Sequence, residues 1–331
     1  MANVTVVIPV YNVERYIEKC VNSVKEQTYR DYEIVLVDDG STDSSGDICD
    51  RLCVECGNIS VIHQTNKGLG GARNTGLENC KTKYIFFLDS DDYINPSALQ
   101  RCVETAEKNA CDIVFFDRVS VNEAGEKGVV YSLQAPGNQP LAREQINGIF
   151  KNPSACDKLY KTSLFTEHDI RFPEKVWYED LRTIPKLVPF AERAVKLSGE
   201  PIYYYLQRET SIMHTPDYGR IVRERTEALS DLIDYYKQQN LYDEYREELS
   251  FAIMYHALIL PCLEMHRSRG KCDAYIARLL QYVKSFGLDP ASNRYFSLLR
   301  RNEKIVCRLA WRENYKMIDL LIRLNRFIKG V

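Results

Sequence analysis

The chain has 331 residues, 45% hydrophobic and 27% charged, with 16 glycines and 12 prolines, a profile that excludes a disordered chain, a collagen or a disulfide miniprotein. Its 44 basic and 46 acidic residues give a formal charge of -2, which argues against a general nucleic-acid binder. The eleven cysteines are odd in number and irregularly spaced, and Cys20, Cys102 and Cys111 fall at apolar positions, so they read as reduced, core-filling thiols of a cytoplasmic protein. Met1-Ala2-Asn3 leads into an apolar strand without a signal-peptide pattern.

Val4 to Pro9 is β-branched and apolar, the pattern of a buried strand, and Asn12 is placed to cap a helix with Tyr16, Ile17, Cys20, Val21 and Val24 on one face. Glu33 to Val37 is the second strand, ending in Asp38-Asp39-Gly40-Ser41, with a helix from about Ser44. Ile59 to His63 reads as a strand, Gly70 to Cys80 as a helix, and Tyr84 to Leu88 as a strand ending in Asp89-Ser90-Asp91-Asp92. Asn95-Pro96 opens a further helix and Ile113 to Phe116 is the fifth strand. This alternation predicts an α/β fold, a mainly parallel sheet with helices on both faces and ligands at the carboxyl ends of its strands. From Val119 to Tyr205 the pattern loosens into turns and short mixed segments, and from about Gly219 it becomes helical. Phe251 to Met265 is interrupted by His256, Pro261 and Glu264 and too short to span a bilayer, so a buried helix is expected there.

Three polar clusters stand at successive strand ends: Pro9-Val10-Tyr11-Asn12, Asp38-Asp39-Gly40-Ser41 and Asp89-Ser90-Asp91-Asp92. Asparagine and aspartate there can read a nucleobase and ribose, and Tyr11 can stack on the base. Crowded carboxylates are costly together unless a cation sits between them, and their oxygens suit Mg2+ or Mn2+. One such cluster could merely cap the following helix; three in order point to a nucleotide site.

With Asn66-Lys67-Gly68 and Gly71-Ala72-Arg73-Asn74 added, Val6 to Asn12, Val37 to Asp43 and Leu88 to Asp92 resemble the family 2 glycosyltransferases of bacterial polysaccharide synthesis, over about residues 4 to 215. The resemblance implies a GT-A fold, a nucleotide-sugar donor, a divalent metal on an Asp-x-Asp motif and inversion at the anomeric carbon. It implies that Pro9, Tyr11, Asn12 and Asp39 hold the uridine, with Arg73 near the uracil or diphosphate and Ser90 within the donor motif. Asp89 is expected to touch ribose or metal and Asp91 to ligate the metal, with Asp92 able to share that role. Trp177-Tyr178-Glu179-Asp180 resembles the motif that carries the general base, here Asp180, with Glu179 orienting it; its competing reading is a solvated helix start. Asp157-Lys158-Leu159-Tyr160 is similar to another family segment, in which Lys158 approaches the diphosphate or Tyr160 simply packs. Arg208 is a candidate phosphate contact, and His214 a candidate nitrogen ligand to Mn2+.

Other readings are weaker. Gly68-Leu69-Gly70-Gly71-Ala72-Arg73 has Arg73 where a dinucleotide fingerprint needs a third glycine. Cys53 and Cys56 lack a second pair for zinc and, with Cys49, read as one face of a helix. A nucleotidyltransferase would need a glycine-rich basic loop where Val10-Tyr11-Asn12-Val13-Glu14 stands. The expected enzyme moves a hexosyl or N-acetylhexosaminyl group from a UDP-sugar to a glycan or polyprenyl-linked acceptor, with residues 1–215 catalytic and 216–331 a helical region; the rival is a non-catalytic binding subunit on a degenerate GT-A domain. Ile305 to Val331 places Met317, Leu320, Leu321, Leu324 and Ile328 on one face beside six basic residues. It reads either as a helix packed on its domain or as one lying on the inner face of the membrane, against anionic lipid.

Overall fold

The computed structural model describes residues 2–208, 217–267 and 273–329. The chain divides into two compact units, Met1–Ser211 and Ile212–Val331.

The first unit is built on a seven-stranded sheet of order β10-β6-β9-β4-β1-β2-β3. Its central strand β1 (Val4–Val10) is buried along its whole length, which its unbroken apolar pattern requires. β1 pairs in parallel with β2 (Tyr32–Asp38) on one side and β4 (Tyr84–Phe87) on the other, and β2 pairs in parallel with β3 (Ile59–His63). Between these strands run α1 (Ile17–Lys25), α2 (Ser45–Glu55) and α3 (Gly68–Asn79). The chain therefore builds outward from β1 to β3 and then returns to the other side of β1 as β4. That reversal opens a crevice at the carboxyl ends of β1, β2 and β4, where all three polar clusters lie.

After β5 (Tyr93–Ile94) and α4 (Ala98–Asn109), the strand β6 (Ile113–Phe115) is separated from β4 by β9 (Lys158–Lys161), antiparallel to both. β10 (Ala194–Lys196) closes that edge in parallel with β6. A second sheet, of order β5-β11-β7-β8, contains β7 (Arg118–Val121), β8 (Lys127–Tyr131) and β11 (Tyr203–Leu206). The stretch from Val119 to Tyr205 is thus more regular than its turn-rich sequence indicates. Short helices α5 (Arg143–Ile146), α6 (Ser163–Thr166) and α7 (Glu179–Thr183) connect these strands.

Two local departures from the sequence pattern shape the crevice. α1 begins at Ile17 rather than after Asn12, because Asn12 takes a left-handed backbone (φ 51°) and its Oδ1 accepts from the Thr42 N–H at 2.8 Å. α3 lies directly on β1: a Cβ added to Gly76 would stand 2.2 Å from Val7 Cγ1. Close helix packing is therefore made one turn after Arg73, which frees Arg73 to face the crevice.

The second unit is helical: α8 (Tyr218–Gln238), α9 (Arg246–Met254), α10 (Leu260–Arg267), α11 (Asp273–Ser285), α12 (Arg301–Trp311) and α13 (Tyr315–Lys329). A π-helical turn over Tyr255–Ile259 joins α9 to α10, and Phe251 through Ile259 is buried, as the apolar run predicts.

Candidate active site

At the end of β1, Pro9 is buried opposite Val37, while Tyr11 projects with 49% of its surface exposed. Ser45 Oγ accepts from the Val13 N–H at 2.8 Å, so the β1–α1 loop is pinned to the start of α2. At the end of β2, Asp38 accepts from the Ser41 N–H at 3.0 Å and faces His63 Nδ1 at 2.8 Å. Burial works to raise its carboxyl, but the Ser41 and His63 bonds outweigh it and hold Asp38 below the ordinary carboxylate range. Asp39, 2% exposed, accepts from Gln64 Nε2 (2.6 Å) and from the N–H groups of Lys67 (2.7 Å) and Gly68 (2.8 Å). Its carboxylate thus fixes the turn into α3, where Gly68 takes φ +77°.

Arg73 on α3 is 1% exposed and joins three carboxylates from distant parts of the chain. It donates from Nη1 to Asp180 (2.7 Å) and Glu179 (3.0 Å), and from Nη2 to Asp89 (3.0 Å). The Phe172 ring lies 5.4 Å from the guanidinium carbon. Glu179 and Asp180 open α7 after Tyr178, which is itself left-handed at φ 61°. Asp180 accepts a second bond on Oδ2, from the Ala155 N–H at 3.0 Å, and 24% of its side chain stays accessible. Burial raises Asp180 above the usual carboxylate range against the pull of Arg73 and Ala155. Burial and the neighbouring Asp180 charge push Glu179 further, to about 7. One cation among three acids leaves at least one carboxyl tending to keep a proton, and here that is Glu179.

Asp91 pairs with Arg208 Nη2 at 2.7 Å. Burial and the charge of Asp89 raise its carboxyl, and Arg208 opposes them. Asp92 points away: it accepts from the Tyr203 hydroxyl (2.6 Å) and the Leu206 N–H (2.7 Å), tying the end of β4 to β11. Ser90, between Asp89 and Asp91, is buried at 7% exposure. Asp89 and Asp91 are thus the two carboxylates available to a cation. Among the described residues no group of three or more His, Cys, Asp or Glu gathers around one point, so a metal would take its remaining ligands from elsewhere. The pair fits Mg2+ or Mn2+ in kind, being hard oxygen donors whose mutual repulsion a cation would relieve.

Lys158, 1% exposed, turns its ammonium onto its own loop. It donates to the carbonyls of Ser154 (2.7 Å) and Asn152 (3.3 Å) and pairs with Asp157. Tyr160 packs against Phe87 and Phe165 and donates to the Ala155 carbonyl at 3.1 Å. His214 lies outside the described residues. The fold therefore assembles Arg73, Asp89, Glu179 and Asp180 in one cluster, with Asp91 and Arg208 paired with each other. One contributor had no mark in the sequence, the Ala155 N–H, because any residue type supplies one; the Tyr203 hydroxyl lies in a tyrosine run similar to a family segment, but its bond to Asp92 is set by the fold.

Residues 5–168 match the profile of glycosyl transferase family 2. The chain is 31% identical over 343 aligned residues to the uncharacterized glycosyltransferase EpsJ of Bacillus subtilis, covering 99% of this chain and 97% of that protein. This chain belongs to glycosyl transferase family 2. It is a glycosyltransferase, of the kind found in bacterial polysaccharide synthesis. It is also 29% identical to the poly(ribitol-phosphate) beta-N-acetylglucosaminyltransferase TarS of Staphylococcus aureus, over 76% of this chain and 45% of that protein. The crystal structure of TarS 1-349 in complex with UDP-GlcNAc covers all of this chain and 92% of its own, with a TM-score of 0.62 at 22% identity. A mannosyltransferase of Pyrobaculum calidifontis, in complex with GDP-Man and Mn2+, matches with a TM-score of 0.52 at 17% identity, over 97% of this chain and 87% of its own. These likenesses establish the GT-A fold.

Proposed function

We propose that this family 2 glycosyltransferase moves a hexosyl or N-acetylhexosaminyl group from a UDP-sugar to a hydroxyl of a glycan or lipid-linked glycan, with inversion, at the cytoplasmic face. Residues 1–215 carry the catalysis and 216–331 form a helical region of their own. One observation carries the reading: Asp180, partly accessible, is fixed by Arg73 and the Ala155 N–H beside the donor acid Asp89. An acceptor hydroxyl is a poor nucleophile until its proton has a destination, and a carboxylate held in place can take it as attack proceeds. Raising Asp180 above an ordinary carboxylate makes it a better base, provided it stays ionised, and Arg73 favours the ionised form. With the base acting directly on the acceptor, one in-line displacement inverts the anomeric centre with no covalent intermediate. Tyr11 and Asn12 border the uridine pocket next to Pro9 and Asp39. Asp89 and Asp91 would hold Mn2+ or Mg2+, with His214 a candidate further ligand, and the ion would supply positive charge against the departing nucleoside diphosphate. The complexes of TarS with UDP-GlcNAc and of the Pyrobaculum enzyme with GDP-Man and Mn2+ support a nucleotide-sugar donor and a divalent ion.

The test is thermal stabilisation by UDP, GDP, dTDP and CMP, with and without Mn2+, in the parent, Asp91→Ala and Asp180→Asn, followed by a transfer assay. Ligands confined to the native state raise the melting temperature by mass action. UDP should stabilise the parent most, with Mn2+ enhancement that Asp91→Ala loses. Asp180→Asn should keep the full shift while transfer falls by about 100-fold or more. Transfer at the parent rate removes Asp180 from its role, and equal UDP affinity with and without Mn2+ in the parent removes the metal.

A further inference from the structure

α13 presents an apolar stripe that the described residues of its own unit leave about half exposed. Met317, Leu320 and Leu324 are 42%, 48% and 49% exposed. At 3.6 residues per turn they fall within about 60° of one another. Ile318 and Ile322, which are buried, occupy the opposite side of the helix and hold it to the unit. Elsewhere among the described residues the large exposed apolar side chains stand singly, or as the neighbours Val129 and Val130 on a strand, where they point to opposite faces. Single exposed apolar residues are ordinary; a contiguous stripe marks a contact surface.

The charges beside the stripe indicate what it meets. Glu313 is engaged by Lys284 at 2.9 Å, and Asp319 by Arg323 at 2.7 Å. Lys316 on the first turn of α13, Arg312 at the α12–α13 junction and Arg308 on the last turn of α12 make no ion pair among the described residues. Both of these acids are thus occupied, and the three cations face one further acid, Asp289, in the cleft that Arg308 and Arg312 line, so cations remain in excess. A helix with an apolar stripe, cations beside it and no length to span a bilayer suits a negatively charged interface in which apolar side chains can sink. We propose that this face of α13 docks on an anionic phospholipid surface, with Met317, Leu320 and Leu324 at the headgroup boundary and Arg308, Arg312 and Lys316 against lipid phosphates. This goes beyond the reaction itself: it would place the enzyme where a lipid-linked acceptor lies.

The test is co-sedimentation of the full chain with phosphatidylcholine vesicles and with vesicles also containing phosphatidylglycerol, at low and high salt. The parent should bind only the anionic vesicles and be released by salt, since each cation near the surface contributes about fivefold in partition. The triple variant Met317→Ser, Leu320→Ser, Leu324→Ser should bind at least about tenfold more weakly with an unchanged melting temperature. A second variant, Arg312→Glu with Lys316→Glu, leaves those half-buried side chains in place, checks the same surface through charge and should lose a similar amount. No binding to anionic vesicles, or equal binding by parent and triple variant, overturns the proposal. Concentration-dependent self-association of the parent that the triple variant abolishes, without vesicle binding, assigns the stripe to a second copy of the chain and also overturns it. Vesicle binding reads no sugar transfer, so its failure is distinguishable from failure of the glycosyltransferase reading.

Discussion

A buried guanidinium needs counter-charge, and Arg73 spends its Nη groups on Asp89, Glu179 and Asp180, while its buried Nε makes no hydrogen bond. The same constraint explains Lys158. A buried ammonium needs oxygen partners, and it finds them on the 152–157 loop, whose Ala155 N–H then meets Asp180. Lys158 is thus a positioning residue, and its own charge also favours the ionised form of Asp180. Lys158→Met should strand the Ser154 and Asn152 carbonyls and leave Asp157 only the more distant Arg118, at 3.8 Å, as its cation, costing about 3 kcal/mol. It should also raise the Asp180 carboxyl further. Since the base works ionised, the acid limb of transfer against pH should move to higher pH while UDP affinity stays unchanged. A lower melting temperature with the acid limb in place would reduce Lys158 to a purely structural part. Asp89 and Asp91 can be singled out in the sequence because crowded carboxylates at a strand end announce themselves, whereas Asp180 alone reads as a solvated helix start and stands out only through the resemblance of Trp177-Tyr178-Glu179-Asp180. That Arg73 binds two of them was not legible, since the uracil or diphosphate placement expected for it depends on which partner lies closest across 107 residues of chain.

Among elements, strand–helix alternation through β4 is legible because β1, β2 and β3 pair with sequence neighbours and β1, β2 and β4 are buried along nearly their whole length. β9 is not: its four residues are recognisable only by the slot between β4 and β6 that they fill in the opposite direction. The second sheet escapes for the same reason, its pairing of β5 with β11 joining residues more than a hundred positions apart. The start of α1 shows the limit of cap reading. Asn12 has the chemistry of a cap, but its side chain is more strongly claimed by Thr42 across the crevice. The contact of α3 with β1 is the element-level feature on which the site depends most, because it sets the height of Arg73. Gly76→Ala should force Val7 and α3 apart and destabilise the protein by about 1–3 kcal/mol in urea unfolding. Combining it with Val7→Ala should recover part of that loss, since the added methyl then has a place to go. A Gly76→Ala protein as stable as the parent would show that α3 can shift without cost.

Over the whole molecule, stability has to come from burial rather than from covalent ties. All ten cysteines among the described residues are free, and seven of them are buried. Burial pushes the Cys111 thiol up to about 11 and those of Cys49 and Cys307 up to about 12, so almost none of the reactive thiolate forms at neutral pH. Cys20, against the crevice acids, is raised by burial and then by Asp92, Asp91 and Asp89. These thiols behave as small apolar side chains, which is how their irregular spacing reads in the sequence, where burial is visible but chemical inertness is not. The consequence can be measured with Ellman's reagent at neutral pH on the native chain. Cys53, Cys56 and Cys80, each only partly buried, should react first, and the seven buried thiols only at the rate at which the native structure opens. Dithiothreitol should leave the melting temperature unchanged. A lower melting temperature in reductant would mean that a cross-link carries stability, and burst labelling of the buried thiols would mean that the core around β1 is open far more often than its complete burial implies.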